Sequence, residues 1–234
     1  KAEVAGERNR VFCMSQGDWL DPTVPAEWLA DLLALIYHTP NLDWLLLTKR
    51  PGLFEERILA ALETIDDWGS EVYQWAAGWV NGYPLADPPA PERPPHNVWV
   101  GTSVEDQKRA LQRVSDLLAI PAAVRFLSCE PLLESIDIPA LARLDWVICG
   151  GESHQDRNKA RPFNLEWAQT LAAFCAEADV PFFMKQVGSY ARFDESLFET
   201  RDPKGGDPAE WPAWLRTREF PVHETTPNNP QKTK

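Results

Sequence analysis

Two adjacent cations, Lys49-Arg50, stand directly after an apolar run, with Thr48 before them and Pro51 behind. Arginine offers a planar fork for a carboxylate or phosphate and lysine a compact point charge, so the pair suits an anionic group. The bland alternative is a surface salt bridge with Asp43 or Glu55, which contributes little. Four further clusters have the same character: Ser103 with Glu105, Glu130, Gly150-Gly151-Glu152-Ser153, and Lys185-Gln186. Glu130 closes an apolar run and precedes Pro131, a position with no helix-capping duty, so it reads as an acceptor or general base. Glu152 and Lys185 complete the charged set with catalytic potential. Ser103 and Asp106 serve equally well as helix caps. Gly150-Gly151 permits close backbone approach to a ligand, but fits neither a dinucleotide fingerprint nor a phosphate loop.

These clusters share one property: each follows a short apolar run and none precedes one. Runs at 11–14, 44–47, 98–100, 124–127, 146–149 and 182–184 alternate with segments of helical periodicity. Nearly continuous apolar strands alternating with helices predict a parallel sheet covered by helices, and hence a partial or complete (β/α) TIM-barrel-like domain over residues 1–190. In such a sheet all carboxyl ends lie on one side, so Thr48, Lys49, Arg50, Ser103, Glu105, Glu130, Glu152 and Lys185 are expected around one mouth. Opposite charges there would pair, Lys49 or Arg50 with Glu130 or Glu152. A Trp- and Pro-rich insertion at about 66–96 interrupts the rhythm, and residues 191–234 read as an irregular tail, disordered at its end.

Composition narrows the function. A net charge of −12 over 234 residues opposes broad, sequence-independent binding to nucleic acid, which needs a basic surface. Without an apolar run long enough to cross a bilayer or a leader peptide, the chain reads as cytoplasmic. Cys13, Cys129, Cys149 and Cys175 form no C-x-x-C pair and sit mostly in apolar runs, so they read as buried thiols rather than disulfides or metal ligands. His38, His96, His154 and His223 are scattered, and no metal site is expected. Oligomeric state is not encoded in any pattern here.

Several blocks together carry a family resemblance: Leu47-Thr48-Lys49-Arg50-Pro51, residues 97–107 (NVWVGTSVEDQ), Ser128-Cys129-Glu130-Pro131-Leu132-Leu133, residues 145–153 (DWVICGGES) and Phe182-Phe183-Met184-Lys185-Gln186, followed by Glu210-Trp211-Pro212. Over about residues 10–222 the chain resembles the bacteriophage gp-thirty-seven/gp-sixty-eight family of phage and prophage proteins, which are themselves similar to radical S-adenosylmethionine enzymes. Members carry a further strand and a cysteine-rich, cluster-binding segment that this sequence lacks. The resemblance implies an enzyme acting on nucleic acid or nucleotides, with S-adenosylmethionine and an iron–sulfur cluster as cofactors of a longer form and none in this chain as given. It implies that Glu130 and Glu152 accept hydrogen bonds from substrate or cofactor, and that Thr48, Lys49, Arg50 and Lys185 hold anionic groups. Two other readings stand beside it. One is a cofactor-independent barrel enzyme that clamps a small anionic metabolite with Lys49 and Arg50. The other is an interaction module using Trp68, Trp75, Trp79 and Trp99.

Overall fold

The computed structural model describes residues 8–13, 17–80, 95–154 and 159–222. Met14, Ser15, Gln16, most of the Pro-rich part of the insertion and His223 lie outside them. Six strands form one sheet: β1 (Asn9–Cys13), β2 (Leu42–Thr48), β3 (Val98–Ser103), β4 (Val124–Cys129), β5 (Trp146–Gly150) and β7 (Phe182–Gln186). Every neighbouring pair is parallel and the spatial order follows the chain. The sheet curls into a half-barrel flanked by helices α1 (Ala26–His38), α2 (Phe54–Leu62), α3 (Glu71–Trp79), α4 (Gln107–Ala119) and α5 (Leu165–Glu177).

The strands run further than their apolar runs. Thr48, Ser103, Ser128, Gly150 and Lys185-Gln186 are last-turn members of the ladder rather than loop residues. Backbone pairing is indifferent to side-chain polarity, so the ladder continues to the rim. Period-2 alternation then splits the side chains between two faces. Trp44, Leu46, Val98, Val100, Leu127, Cys129, Val147, Cys149 and Met184 meet the helices in the main core. Leu45, Trp99, Val124, Phe126, Trp146 and Ile148 form a second apolar cluster on the concave face.

Two regions add to the sequence reading. Within the insertion, α3 is capped by Ser70, whose hydroxyl accepts from the Tyr73 amide. It carries Trp79 into the core, stacked on Trp19 at 6.1 Å. Trp79 and Trp99 are buried, Trp75 is half-buried, and of the four tryptophans considered for a contact surface only Trp68 is exposed. These indoles are core because their area is worth more in packing than in water.

The chain after Tyr190 is not simply irregular. β8 (Ala191–Phe193) and β9 (Ser196–Phe198) form an antiparallel hairpin, and β8 also pairs with the two-residue β6 (Phe163–Asn164). Asp194 and Glu195 make its turn in the left-handed region, φ 48° and 58°. A two-residue hairpin of this kind is signalled by Asn-Gly or Asp-Gly, and Asp-Glu hides it. Beyond it, Trp211 and Leu215 are buried, and Thr217 and Glu219 bond to Met184 and Phe182 along the outer edge of β7.

Candidate functional site

The concave face is a cup. Its floor is laid by Leu45 and Leu47 of β2, Phe126 of β4, Trp146 and Ile148 of β5 and Phe183 of β7. Gly101 is needed in the middle of β3: a Cβ there would come within 2.3 Å of the Phe126 ring, which lies across the position. At the amino ends of the strands Phe220 packs on Trp146 and Phe183, centroids 5.2 and 5.1 Å apart, and Arg10 sits over Trp99 and Phe220. At the carboxyl ends the cup opens into a cavity of about 720 Å³, which Thr48, Lys49, Arg50, Ser103, Glu130 and Lys185 help to line.

Asp18, in the segment after β1, organises one side of the rim. Its Oδ1 accepts from the Thr48 hydroxyl (2.7 Å) and the Leu20 amide (3.1 Å). Its Oδ2 accepts from the Lys49 amide (2.9 Å) and Arg50 Nη1 (2.8 Å). A carboxylate has about four lone-pair sites, and all are used here. Asp18 therefore fixes the rim and has no capacity left for a ligand. Arg50 is further held by Asp21 at 3.0 Å. Asp21 titrates below the usual carboxylate range, chiefly because the Thr23 amide and hydroxyl donate to it, with Arg50 adding a smaller Coulombic pull.

The opposite side is built on Glu130. Its Oε2 pairs with Lys185 Nζ at 2.8 Å and its Oε1 accepts from the Ser128 hydroxyl at 3.2 Å. Acceptor sites remain on both oxygens, and Lys185 is half exposed at the lip. The pairs expected from sequence, Lys49 or Arg50 with Glu130 or Glu152, do not form. Glu130 is met by the strand beyond its neighbour, Arg50 by the segment after β1, and Lys49 reaches Glu105 at 3.8 Å while Arg113 of α4 holds that carboxylate at 2.9 Å. Asp106 caps α4 by accepting from the Arg109 amide, which leaves Ser103 free of capping duty.

The remaining predicted positions lie on the same rim but not among the residues lining the cavity. Glu152 is engaged by Arg161, which donates from its backbone amide (2.8 Å), Nε (2.9 Å) and Nη2 (3.1 Å). Those donors hold the Glu152 carboxyl below its ordinary range. Gly150 and Gly151 are small for reasons internal to the fold. A Cβ on Gly150 would stand 3.2 Å from Glu130 Oε2, and one on Gly151 would strike the Val187 carbonyl at 2.2 Å. Gln186 donates its side-chain amide to the Gly151 carbonyl. Ser153 is exposed beside them. Sequence reasoning passed over Asp18, Asp21, Ser128, Arg113 and Arg161. Asp18 carried a usable signal, since it follows a strand as every other cluster does. Arg161 carried none, because it follows no apolar run.

Cys129, Cys149 and Cys175 are buried free thiols on the helix-covered side, and burial pushes each of them up, Cys175 to about 12. Among the described residues no group of three or more His, Cys, Asp or Glu side chains could hold a metal ion. No helix among the described residues is long and apolar enough to cross a membrane.

No curated protein and no solved structure matches the chain. A family model, described as protein of unknown function (DUF5131), matches residues 2–219. With nearly its whole length inside that match, from the strand that ends near Asp18 to the segment that seals β7, the chain belongs to the DUF5131 family.

Proposed function

We propose that the cup is the ligand site of an enzyme domain and takes a small molecule with a nucleoside moiety, a planar base joined to a ribose. The observation that carries this is a charge-balanced rim over an apolar, aromatic floor. Asp18, Asp21 and Glu130 face Lys49, Arg50 and Lys185 around a cavity of about 720 Å³, within the usual size of small-molecule sites. A planar ring gains area and ring–ring contact against Trp146 and Phe183, and a rim without net charge suits a neutral hydroxylated part. The resemblance to phage gp-thirty-seven/gp-sixty-eight proteins and through them to radical S-adenosylmethionine enzymes agrees in kind, because S-adenosylmethionine is such a nucleoside. When bound it would supply a sulfonium-activated group. This chain's own part is to bind and orient it, with Glu130 as acceptor and Lys185 as donor.

The rival reading, a clamp for an anionic metabolite, is weakened at Arg50. A guanidinium already forked between Asp18 and Asp21 has its charge balanced and only part of its fork left for a phosphate. The interaction-module reading is weakened by the burial of Trp79 and Trp99, which leaves only Trp68 of its four tryptophans exposed.

Equilibrium dialysis of the full chain against adenosine, AMP and S-adenosylmethionine tests this. Saturable binding of adenosine and S-adenosylmethionine is expected, reduced at least tenfold in Glu130→Gln, as loss of a charged acceptor implies. AMP bound far more tightly than adenosine would favour the anion clamp, and no binding of any of the three would sink the proposal.

A further inference from the structure

Ser103 ends β3 with its side chain on the concave face, opposite Ser128 in the β3–β4 register. The residue is only 4% exposed and lines the cavity. Its backbone carbonyl accepts from Arg113, but its hydroxyl has no hydrogen-bond partner among the described residues. The hydroxyl is therefore free to meet a ligand in the cavity that the residue lines. Ser128, also 4% exposed, donates to Glu130 and keeps its acceptor lone pairs. Glu130 retains acceptor sites and Lys185 two N–H donors beyond their mutual contact. Four groups from three strands thus present unused donors and acceptors to one side of the cavity.

We infer that Ser103, Ser128, Glu130 and Lys185 form a subsite for a neutral vicinal diol, the 2′- and 3′-hydroxyls of the ribose in the nucleoside ligand. This rests on the nucleoside reading and specifies which part of the ligand lies where. The Glu130–Lys185 contact at 2.8 Å decides against a charged group. A carboxylate or phosphate accepting from Lys185 would stand beside the Glu130 carboxylate and be repelled by it, and an ammonium at Glu130 would meet Lys185 in the same way. Hydroxyls both donate and accept, so one can donate to Glu130 and accept from Lys185 while the ion pair stays closed. The second hydroxyl then meets Ser103, whose O–H rotates to donate or accept.

Calorimetric titration separates this from the broader reading. Adenosine, 2′-deoxyadenosine, 3′-deoxyadenosine and 2′,3′-dideoxyadenosine are titrated into the wild-type chain and into Ser103→Ala, and thermal melts are recorded for both. The dideoxynucleoside should bind the wild type about ten- to a hundredfold more weakly than adenosine, as the loss of two hydrogen bonds to buried groups implies. Ser103→Ala should weaken adenosine about five- to tenfold, leave dideoxyadenosine unchanged and melt at the wild-type temperature, because no bond within the protein is lost. Equal binding of adenosine and dideoxyadenosine to the wild type overturns the diol subsite and leaves the nucleoside reading standing. No binding of any nucleoside overturns both. A clearly lower melting temperature for Ser103→Ala assigns its hydroxyl a structural role and also overturns the subsite. The dideoxy comparison on the wild type decides the matter even if the variant does not fold.

Discussion

The Thr48 hydroxyl donates to Asp18 Oδ1 at 2.7 Å, joining the segment after β1 to the last residue of β2 across a sequence separation of 30. The same hydroxyl accepts from the Arg50 amide. Thr48 is therefore a relay, and the Lys49-Arg50 pair keeps its place through Asp18 rather than through its own strand alone.

Asp18→Ala leaves the Thr48 hydroxyl, two amides and a guanidinium without their acceptor. Urea unfolding should show a loss of about 2–3 kcal/mol, as for hydrogen bonds to a charged group. Thr48→Val should cost about 1 kcal/mol, and the double variant less than the sum because the two share one network. Strict additivity would show that the network is not a unit.

Gly101→Ala drives a methyl into the Phe126 ring. Overpacking of this kind costs about 1–3 kcal/mol, readable as a lower melting temperature. Combining it with Phe126→Leu should recover part of that loss. If the double variant is as unstable as the two losses added, the ring is not the obstacle.

Acid should loosen the Glu152–Arg161 pairing. The Glu152 carboxyl is held below its ordinary value of 4.5, first by the Arg161 side chain. A depressed carboxylate contributes stability above the unfolded value, lost as pH falls through the folded one. Wild type and Glu152→Gln should thus differ at neutral pH, by less than about 1 kcal/mol for so exposed a pair, and converge below pH 4.5. A difference that persists into acid would contradict the pairing.

Thiol labelling with iodoacetamide at pH 8 should modify Cys129, Cys149 and Cys175 only as the protein unfolds. Burial raises all three, and the thiolate is the nucleophile. These thiols stay protonated in the folded state while the unfolded chain ionises from about pH 9, so stability should also fall between pH 9 and about 12. Rapid labelling of the native protein would refute this.

The rhythm of apolar run and helix was sufficient to anticipate six parallel strands in chain order, because β2 to β5 are largely buried on both faces and so read as continuous. It did not tell which face each residue serves. That is why Gly150-Gly151 looked like a ligand approach and proves to accommodate Glu130 and Val187. Counter-charges were illegible for a related reason: Glu130 meets Lys185 from 55 residues away, at a distance set by the curl of the sheet. The β8–β9 hairpin escaped because its turn residues lack glycine.

Among the described residues, Phe220 and Arg10 pack across the amino end of the cup, and its cavity lies at the carboxyl-end rim. If the cup takes two ligands, one lying against Trp146 would be covered by one bound near Lys185, and the two would bind in a fixed order.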